Sequence, residues 1–185
     1  ANSLVGMKPT IGNVSRAGIV PISSTLDTAG PMTKFVIDNI LIYNAINDFD
    51  PLDDYSVENY DIRLEEVVES KLEEYTIGYY KSFYERDSLY KSAIDFLTEN
   101  GVELQVIDAP QIRLEGFAKI LDEDMRYDLR SYLFFYGSKN LKVEDISSII
   151  KHNEMDSIER APYGQGIFKK IIRDTMSIND FEDLK

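Results

Sequence analysis

Cysteine is absent from the 185 residues, which excludes a disulfide framework, a thiolate metal site and a cysteine nucleophile. The absence fits a reducing compartment and an exported protein equally well. Histidine occurs once, at His152, in Lys151-His152-Asn153 after a short expected helix. A general base needs a positioned partner, and a lone surface-type histidine has none. No apolar run approaches the ~20 residues of a membrane-spanning helix, so no membrane partner is expected. No phosphate loop or dinucleotide fingerprint occurs, so no cofactor is expected. Basic residues are in deficit, 20 against 33 acidic ones, for a formal charge of −13. Such a surface repels a phosphate backbone and argues against direct nucleic-acid binding. Its plain effect is solubility.

What is present suits a folded domain. Apolar residues make up 43%, with 12 Tyr and 9 Phe, and the mean hydropathy is −0.27. A chain of this size buries roughly 70% of its unfolded surface. It starts without Met, charged n-region or signal-like apolar stretch, at Ala1-Asn2-Ser3-Leu4-Val5-Gly6. The expectation is therefore a piece of a longer parent, and a cytoplasmic location is the working assignment.

Residues 1–31 hold four of the ten Gly and three of the six Pro. That punctuation forbids a long helix and predicts short strands joined by tight turns. Pro31 suits the first turn of a helix running from Thr33 to about Ile46. There Val36, Ile37, Ile40, Leu41 and Ala45 follow helical spacing, which predicts burial on a broad face. The loop from Asn47 to Tyr60 crowds Asp48, Asp50, Asp53 and Asp54 together. It lacks the central Gly of a helix-loop-helix calcium site, so no metal is expected.

Tyr75 to Tyr80 reads as a strand of β-branched and aromatic residues. Asp87 or Ser88 then caps a helix carrying Leu89, Ala93, Ile94 and Leu97 inward and stopping at Asn100-Gly101. Val102, Leu104 and Val106 alternate with Glu103, Gln105 and Ile107 as a second strand. Strand, helix and strand in about thirty residues form the pattern of a right-handed βαβ crossover. A long helix is expected from Ile112 to about Tyr136, a short one from Val143 to Ile150, and another from Gln165 to Met176. Ile167, Phe168, Ile171 and Ile172 lie on one side of the last. The tail from Ser177 to Lys185 keeps Ile178, Phe181 and Leu184 at helical spacing and either docks or frays. The fold class is α/β, a mixed sheet flanked by helices. The expected organisation is one partial domain over 1–185: 1–38 a motif segment, 39–74 helix and variable loop, 75–108 the βαβ unit, 109–185 mainly helical.

The acidic pairs Glu65-Glu66, Glu73-Glu74 and Asp122-Glu123 read as solvated helix faces. The aromatic cluster of Tyr132, Phe134, Phe135 and Tyr136 is expected to pack.

The opening segment is the unusual one. Its string runs Gly6-Met7-Lys8-Pro9-Thr10-Ile11-Gly12, then Ser15-Arg16-Ala17-Gly18, Pro21-Ile22-Ser23, and Asp27-Thr28-Ala29-Gly30-Pro31-Met32. It resembles the amidase signature family over residues 3–38, including Asp38. Met7 stands where the family has Leu, and Lys34 where it has Arg. A weaker resemblance continues at Ile77-Gly78, from Asp124 to Leu133, and at Ala161-Pro162-Tyr163-Gly164-Gln165.

The resemblance implies a parent enzyme that opens a small amide substrate with a Lys–Ser–Ser triad and a backbone oxyanion hole, without metal. In the family all three triad residues precede the Gly-Leu-Lys-Pro-Thr run. Lys8, Ser15, Ser23 and Ser24 therefore lie outside the triad. No catalytic, cofactor-binding or metal residue is assigned, and this chain alone is expected to be inactive. Gly6, Gly12 and Gly18 are expected to allow close backbone approach and positive φ beside the reactive turn. Arg16 and Asp27 are expected either to form a charge-assisted link or to satisfy backbone groups, and Ser23 and Ser24 to donate as hydroxyls. The alternatives are the glutamine-hydrolysing subunit of a tRNA-dependent amidotransferase and a non-catalytic structural domain. The helix-rich stretch from Asp124 to Gln165 favours a stand-alone amidase. Cut edges and apolar faces predict self-association of the chain.

Overall fold

A computed structural model of the protein describes residues 2–108, 116–140 and 142–185. The chain divides into two units, residues 1–61 with 114–185, and residues 62–113. The class is α/β, with small two-stranded sheets among helices.

In the first unit, β1 (Val5–Gly6) pairs antiparallel with β2 (Met32–Thr33), Val5 opposite Thr33. Between them the chain runs in turns, not in the further short strands its punctuation predicts. Its hydrogen bonds go largely to side chains. Pro31 leads into β2 rather than opening a helix, and its carbonyl accepts from the Met7 N–H at 3.1 Å. Helix α1 (Val36–Ile46) starts three residues later than expected, after an extended Phe35 that offers no side-chain cap.

The buried face of α1 is narrower than its sequence suggests. Asn39, Ile40 and Tyr43 are buried, whereas Val36, Ile37, Leu41 and Ile46 are 40–53% exposed. Asn39 is 1% exposed, and its amide donates to the carbonyls of Val5 and Pro31 at 3.0 and 3.1 Å and to Thr33 Oγ1 at 3.2 Å. One side chain thereby fastens both strands to the helix. A buried backbone carbonyl left without a donor costs more than a hydrogen bond contributes in water, which makes a polar residue worth burying here.

The helical part of this unit is built on α5 (Phe117–Tyr136), α6 (Ile146–Glu154), α7 (Ser157–Arg160), α8 (Gly166–Arg173) and α9 (Ile178–Leu184). Ile112 and Leu114 of the expected long helix lie outside the described residues. Leu129, Ile146, Ile150 and Ile171 form the core, with Met125, Leu133, Ile149 and Phe168 packed on it. On α8, Phe168 and Ile171 turn inward while Ile167 is 70% exposed, because an eight-residue helix meets its neighbours along one narrow stripe. Helix α6 begins later than Val143 because Asp145 caps it in a reciprocal box with Ser148. The tail docks: Ser177 caps α9, Phe181 is 3% exposed, and its ring stacks on Tyr127 at 6.1 Å.

The second unit contains the expected parallel pair. Strands β3 (Thr76–Tyr80) and β4 (Glu103–Ile107) align Thr76 with Glu103 through Tyr80 with Ile107. Between them come α3 (Lys81–Arg86), which the sequence did not reveal, and α4 (Ser88–Glu99); α2 (Leu64–Glu69) precedes β3. Asp87 caps α4 by accepting from the N–H groups of Leu89 and Tyr90, both at 2.9 Å. Ile94 is buried, whereas Leu89 is 82% exposed and Ala93 is also outside, since a two-stranded sheet covers little of the helix.

Asn39→Ala removes the donor from three acceptors. We expect it to lower unfolding stability by about 2 kcal/mol in urea titration, with Asn39→Asp no better because a carboxylate cannot donate.

Candidate functional site

The region with the most unusual chemistry is the turn-rich run from Ser15 to Gly30, and its geometry starts from backbone proximity. Gly12 has φ +91°, and a Cβ there would lie 2.2 Å from the Tyr55 carbonyl oxygen. The Gly12 carbonyl in turn accepts from the Val57 N–H at 3.1 Å. A Cβ on Gly30 would lie 2.0 Å from the Met7 carbonyl oxygen. Only glycine lets these loops touch. Gly18 also has positive φ, at the turn where Ile19 N–H donates to the Arg16 carbonyl. Gly6 does neither: it sits in β1, where a Cβ would meet only Met32 Cγ at 3.9 Å.

Arg16 occupies the centre of the run. Its Nε and Nη2 form a fork on the Asp53 carboxylate at 3.0 and 2.8 Å, and its own N–H donates to Asp53 Oδ2 at 2.9 Å. Nη1 donates to the carbonyls of Ser24 and Asp27, and the guanidinium lies 4.8 Å from the centre of the Tyr55 ring. The ion pair is thus Arg16–Asp53, not Arg16–Asp27. The Asp27 carboxylate instead accepts the N–H groups of Ile22 and Ser23 at 2.8 and 2.9 Å. Arg16 and Asp27 both satisfy backbone. The guanidinium hydrogen bonds hold the Asp53 carboxyl well below its ordinary value, at about 2. Of the crowded acids of residues 48–54, Asp50 and Asp53 serve this run, with Asp50 accepting the Ser15 hydroxyl at 2.6 Å.

Helix α5 supplies the second set of anchors. Asp122, Glu123 and Asp124 are buried, against the solvated face expected of the first two. Each has a partner: Asp122 pairs with Lys170 at 2.6 Å and Glu123 with Arg126 at 2.7 Å. Glu123 also accepts the Met176 N–H at 3.0 Å. Asp124 accepts the Ser23 hydroxyl, the Thr25 N–H at 3.3 Å and the Lys185 ammonium at 3.0 Å. One turn on, Asp128 accepts the Ser24 N–H at 2.6 Å. Burial works to raise Asp124, but the Ser23, Thr25 and Lys185 donors outweigh it and hold this carboxyl low. Asp128 goes the other way: burial pushes it up.

Sequence reasoning missed Asn39, Asp53, Asp124, Asp128 and Lys185. A usable signal was present for two of them. Like charges at i and i+4, as at Asp124 and Asp128, disfavour an isolated helix and point to partners off it.

Ser23 is 0% exposed with its hydroxyl given to a carboxylate, and Lys8 Nζ donates to the Pro9 carbonyl at 3.3 Å. His152 is exposed on the last turn of α6, with its carbonyl taking Arg160 at 2.9 Å. Glu65, Glu66, Glu73 and Glu74 are exposed. The aromatic cluster splits: Tyr132 packs on the core, whereas Phe134 and Phe135 are 82% and 74% exposed, because successive residues leave a helix in different directions. Phe135 and Tyr136 face a cleft of about 680 Å3 whose other wall is the Arg16–Ala29 run.

Asp53→Asn tests the hub. Stability from a depressed carboxyl is fully present above the ordinary 3.8 and is lost as pH falls toward about 2. The variant is expected to be less stable than wild type at pH 6 by on the order of 1–2 kcal/mol. The two urea midpoints should converge toward pH 2.

Known proteins resemble this chain in sequence and in fold. The family model described as Amidase matches residues 1–161. A glutamyl-tRNA(Gln) amidotransferase subunit from Desulfotalea psychrophila is 28% identical over 189 residues, covering 95% of this chain and 37% of that relative. Among solved structures, an amidase family protein from Bacillus anthracis superposes with a TM-score of 0.82 at 27% identity, over 98% of this chain and 37% of its own. The native peptide amidase from Stenotrophomonas maltophilia shares the fold, with a TM-score of 0.78 at 21% identity, over 98% of this chain and 39% of its own. The chain therefore spans well under half the length of the relatives it matches.

Proposed function

Since this chain belongs to the amidase family, we propose that the whole protein it represents hydrolyses a carbon–nitrogen amide bond of a small substrate through a serine acyl-enzyme. The observation that supports this reading is the agreement of the entire path with an amidase family protein, at a TM-score of 0.82 over 98% of the chain. In such chemistry a serine attacks the amide carbonyl, backbone N–H groups hold the oxyanion, and water releases the acid. This chain's share is positional. Arg16, Asp27, Asp53, Asp124 and Asp128 fix the path of the Ser15–Gly30 run, so that whatever it abuts is held to a fraction of an ångström. Two of its own serines are engaged in holding that path, Ser15 with Asp50 and Ser23 with Asp124. No helix among the described residues is long and apolar enough to cross a membrane, and a cytoplasmic location belongs to the same proposal.

A second reading has a specific support. The relative from Desulfotalea psychrophila, matched over 95% of this chain, is part of a glutamyl-tRNA(Gln) amidotransferase. Under that reading the amide is glutamine, and the ammonia passes to a charged tRNA.

Ammonia release separates these. The whole protein should free ammonia from simple primary amides, blocked by a serine-directed reagent, without any tRNA. The 185-residue chain alone should free none. Turnover by the chain alone, or release only from glutamine with charged tRNA present, contradicts the first reading.

The chain alone should also self-associate through α1, where Val36, Ile37, Leu41 and Ile42 are 44–53% exposed. Sedimentation should show oligomers that Leu41→Glu disperses; a wild-type monomer at all concentrations contradicts this.

A further inference from the structure

The cleft beside the Ser15–Gly30 run has two apolar walls. Val20 and Ile22, 60% and 52% exposed, lie on one side, and Phe135 and Tyr136, 74% and 48% exposed, on the other. None of the four belongs to the core formed around Leu129, Ile146, Ile150 and Ile171. At about 680 Å3 the space is within the range of small-molecule sites. Among its described lining residues carboxylates outnumber cations six to two.

The two cations are already committed. Arg16 is forked on Asp53, and Lys185 sits 3.0 Å from Asp124. Asp128 is different. It is half-buried, its hydrogen bonding comes from Ser24, whose N–H lies at 2.6 Å, Lys185 and Asp124 act on it only through space, and no cation among the described residues lies within ion-pair distance. A carboxylate in such a position carries a desolvation cost that a cation in the cleft would offset. Rings at Phe135 and Tyr136 add attraction for a positive group through their faces.

We propose that this cleft binds an organic cation, its ammonium or guanidinium group against Asp128 and its apolar body between Val20 and Ile22 on one wall and Phe135 and Tyr136 on the other. This holds whether or not the whole protein hydrolyses amides, because the recognising groups all belong to this chain. The same chemistry describes a cationic substrate and a regulatory amine. In the whole protein, inhibition by benzylamine that rising amide concentration relieves identifies the former. An effect it does not relieve identifies the latter.

The test is calorimetric titration of the 185-residue chain with benzylamine, benzyl alcohol and benzoate, three probes that share a ring and differ in charge. Benzylamine should bind about tenfold more tightly than benzyl alcohol, and benzoate more weakly than either. Asp128→Asn keeps an oxygen for the Ser24 N–H and should abolish the preference for benzylamine while leaving benzyl alcohol unchanged. Phe135→Ala, at an exposed position that folding does not need, should weaken benzylamine and benzyl alcohol alike. Equal binding of benzoate, a benzylamine preference that survives Asp128→Asn, indifference to Phe135→Ala, or no benzylamine binding at millimolar concentration overturns the proposal. None of these results depends on turnover, so the amide-hydrolysis reading stands or falls separately.

Discussion

The backbone from Ile22 to Thr25 belongs to no helix or strand, and its N–H groups need acceptors. Carboxylates supply them. Asp27 takes Ile22 and Ser23, Asp128 takes Ser24, and Asp124 takes Thr25 and the Ser23 hydroxyl. The carbonyls of Ser24 and Asp27 go to Arg16, whose charge Asp53 balances. Everything else in the region follows from that arrangement. The glycines at 12 and 30 bring the loops close enough for it, and the tail closes over it through Lys185.

Charged groups suit this role better than neutral ones because each carboxylate accepts several donors at once and each guanidinium serves several acceptors. The cost is desolvation, and the molecule limits it by pairing. Asp122, Glu123 and Asp124 are buried beside Lys170, Arg126 and Lys185 respectively. Breaking one partner of such a pair is far more disruptive than the pair's net contribution suggests. The consequence is positional accuracy in a segment with little regular structure, which the proposed amide cleavage would require.

The features that were legible in the sequence are those written in local signals. Asp87 or Ser88 as the cap of α4 and the Asn100-Gly101 stop bounded that helix to within a residue, and alternation at Val102–Ile107 located β4. The Gly- and Pro-studded opening was recognisable by its resemblance to the amidase signature family, and within it Gly12 allows the close backbone approach to Tyr55. What stayed hidden is long-range. Ser23 and Asp124 are 101 residues apart, and an acidic triplet on a helix of an acidic chain looks like solvated surface until its partners arrive. Asn39 gave no warning either, since polar residues in an apolar helix, here Asp38, Asn39 and Asn44, usually mark the wet side. On α1 the reverse held: apolar residues that spacing would bury are half exposed, so hydrophobic periodicity revealed the helix but not what covers it.

Amide hydrogen exchange across the Ile22–Thr25 backbone tests most directly whether carboxylates hold this segment. On replacing Asp124 by Leu (Asp124→Leu), Thr25 and its neighbours should lose protection while amides around Ile150 and Ile171 keep theirs. Unchanged protection at Ser24 and Thr25 in that variant would contradict the claim, because the carboxylate would then not be what holds the segment in place.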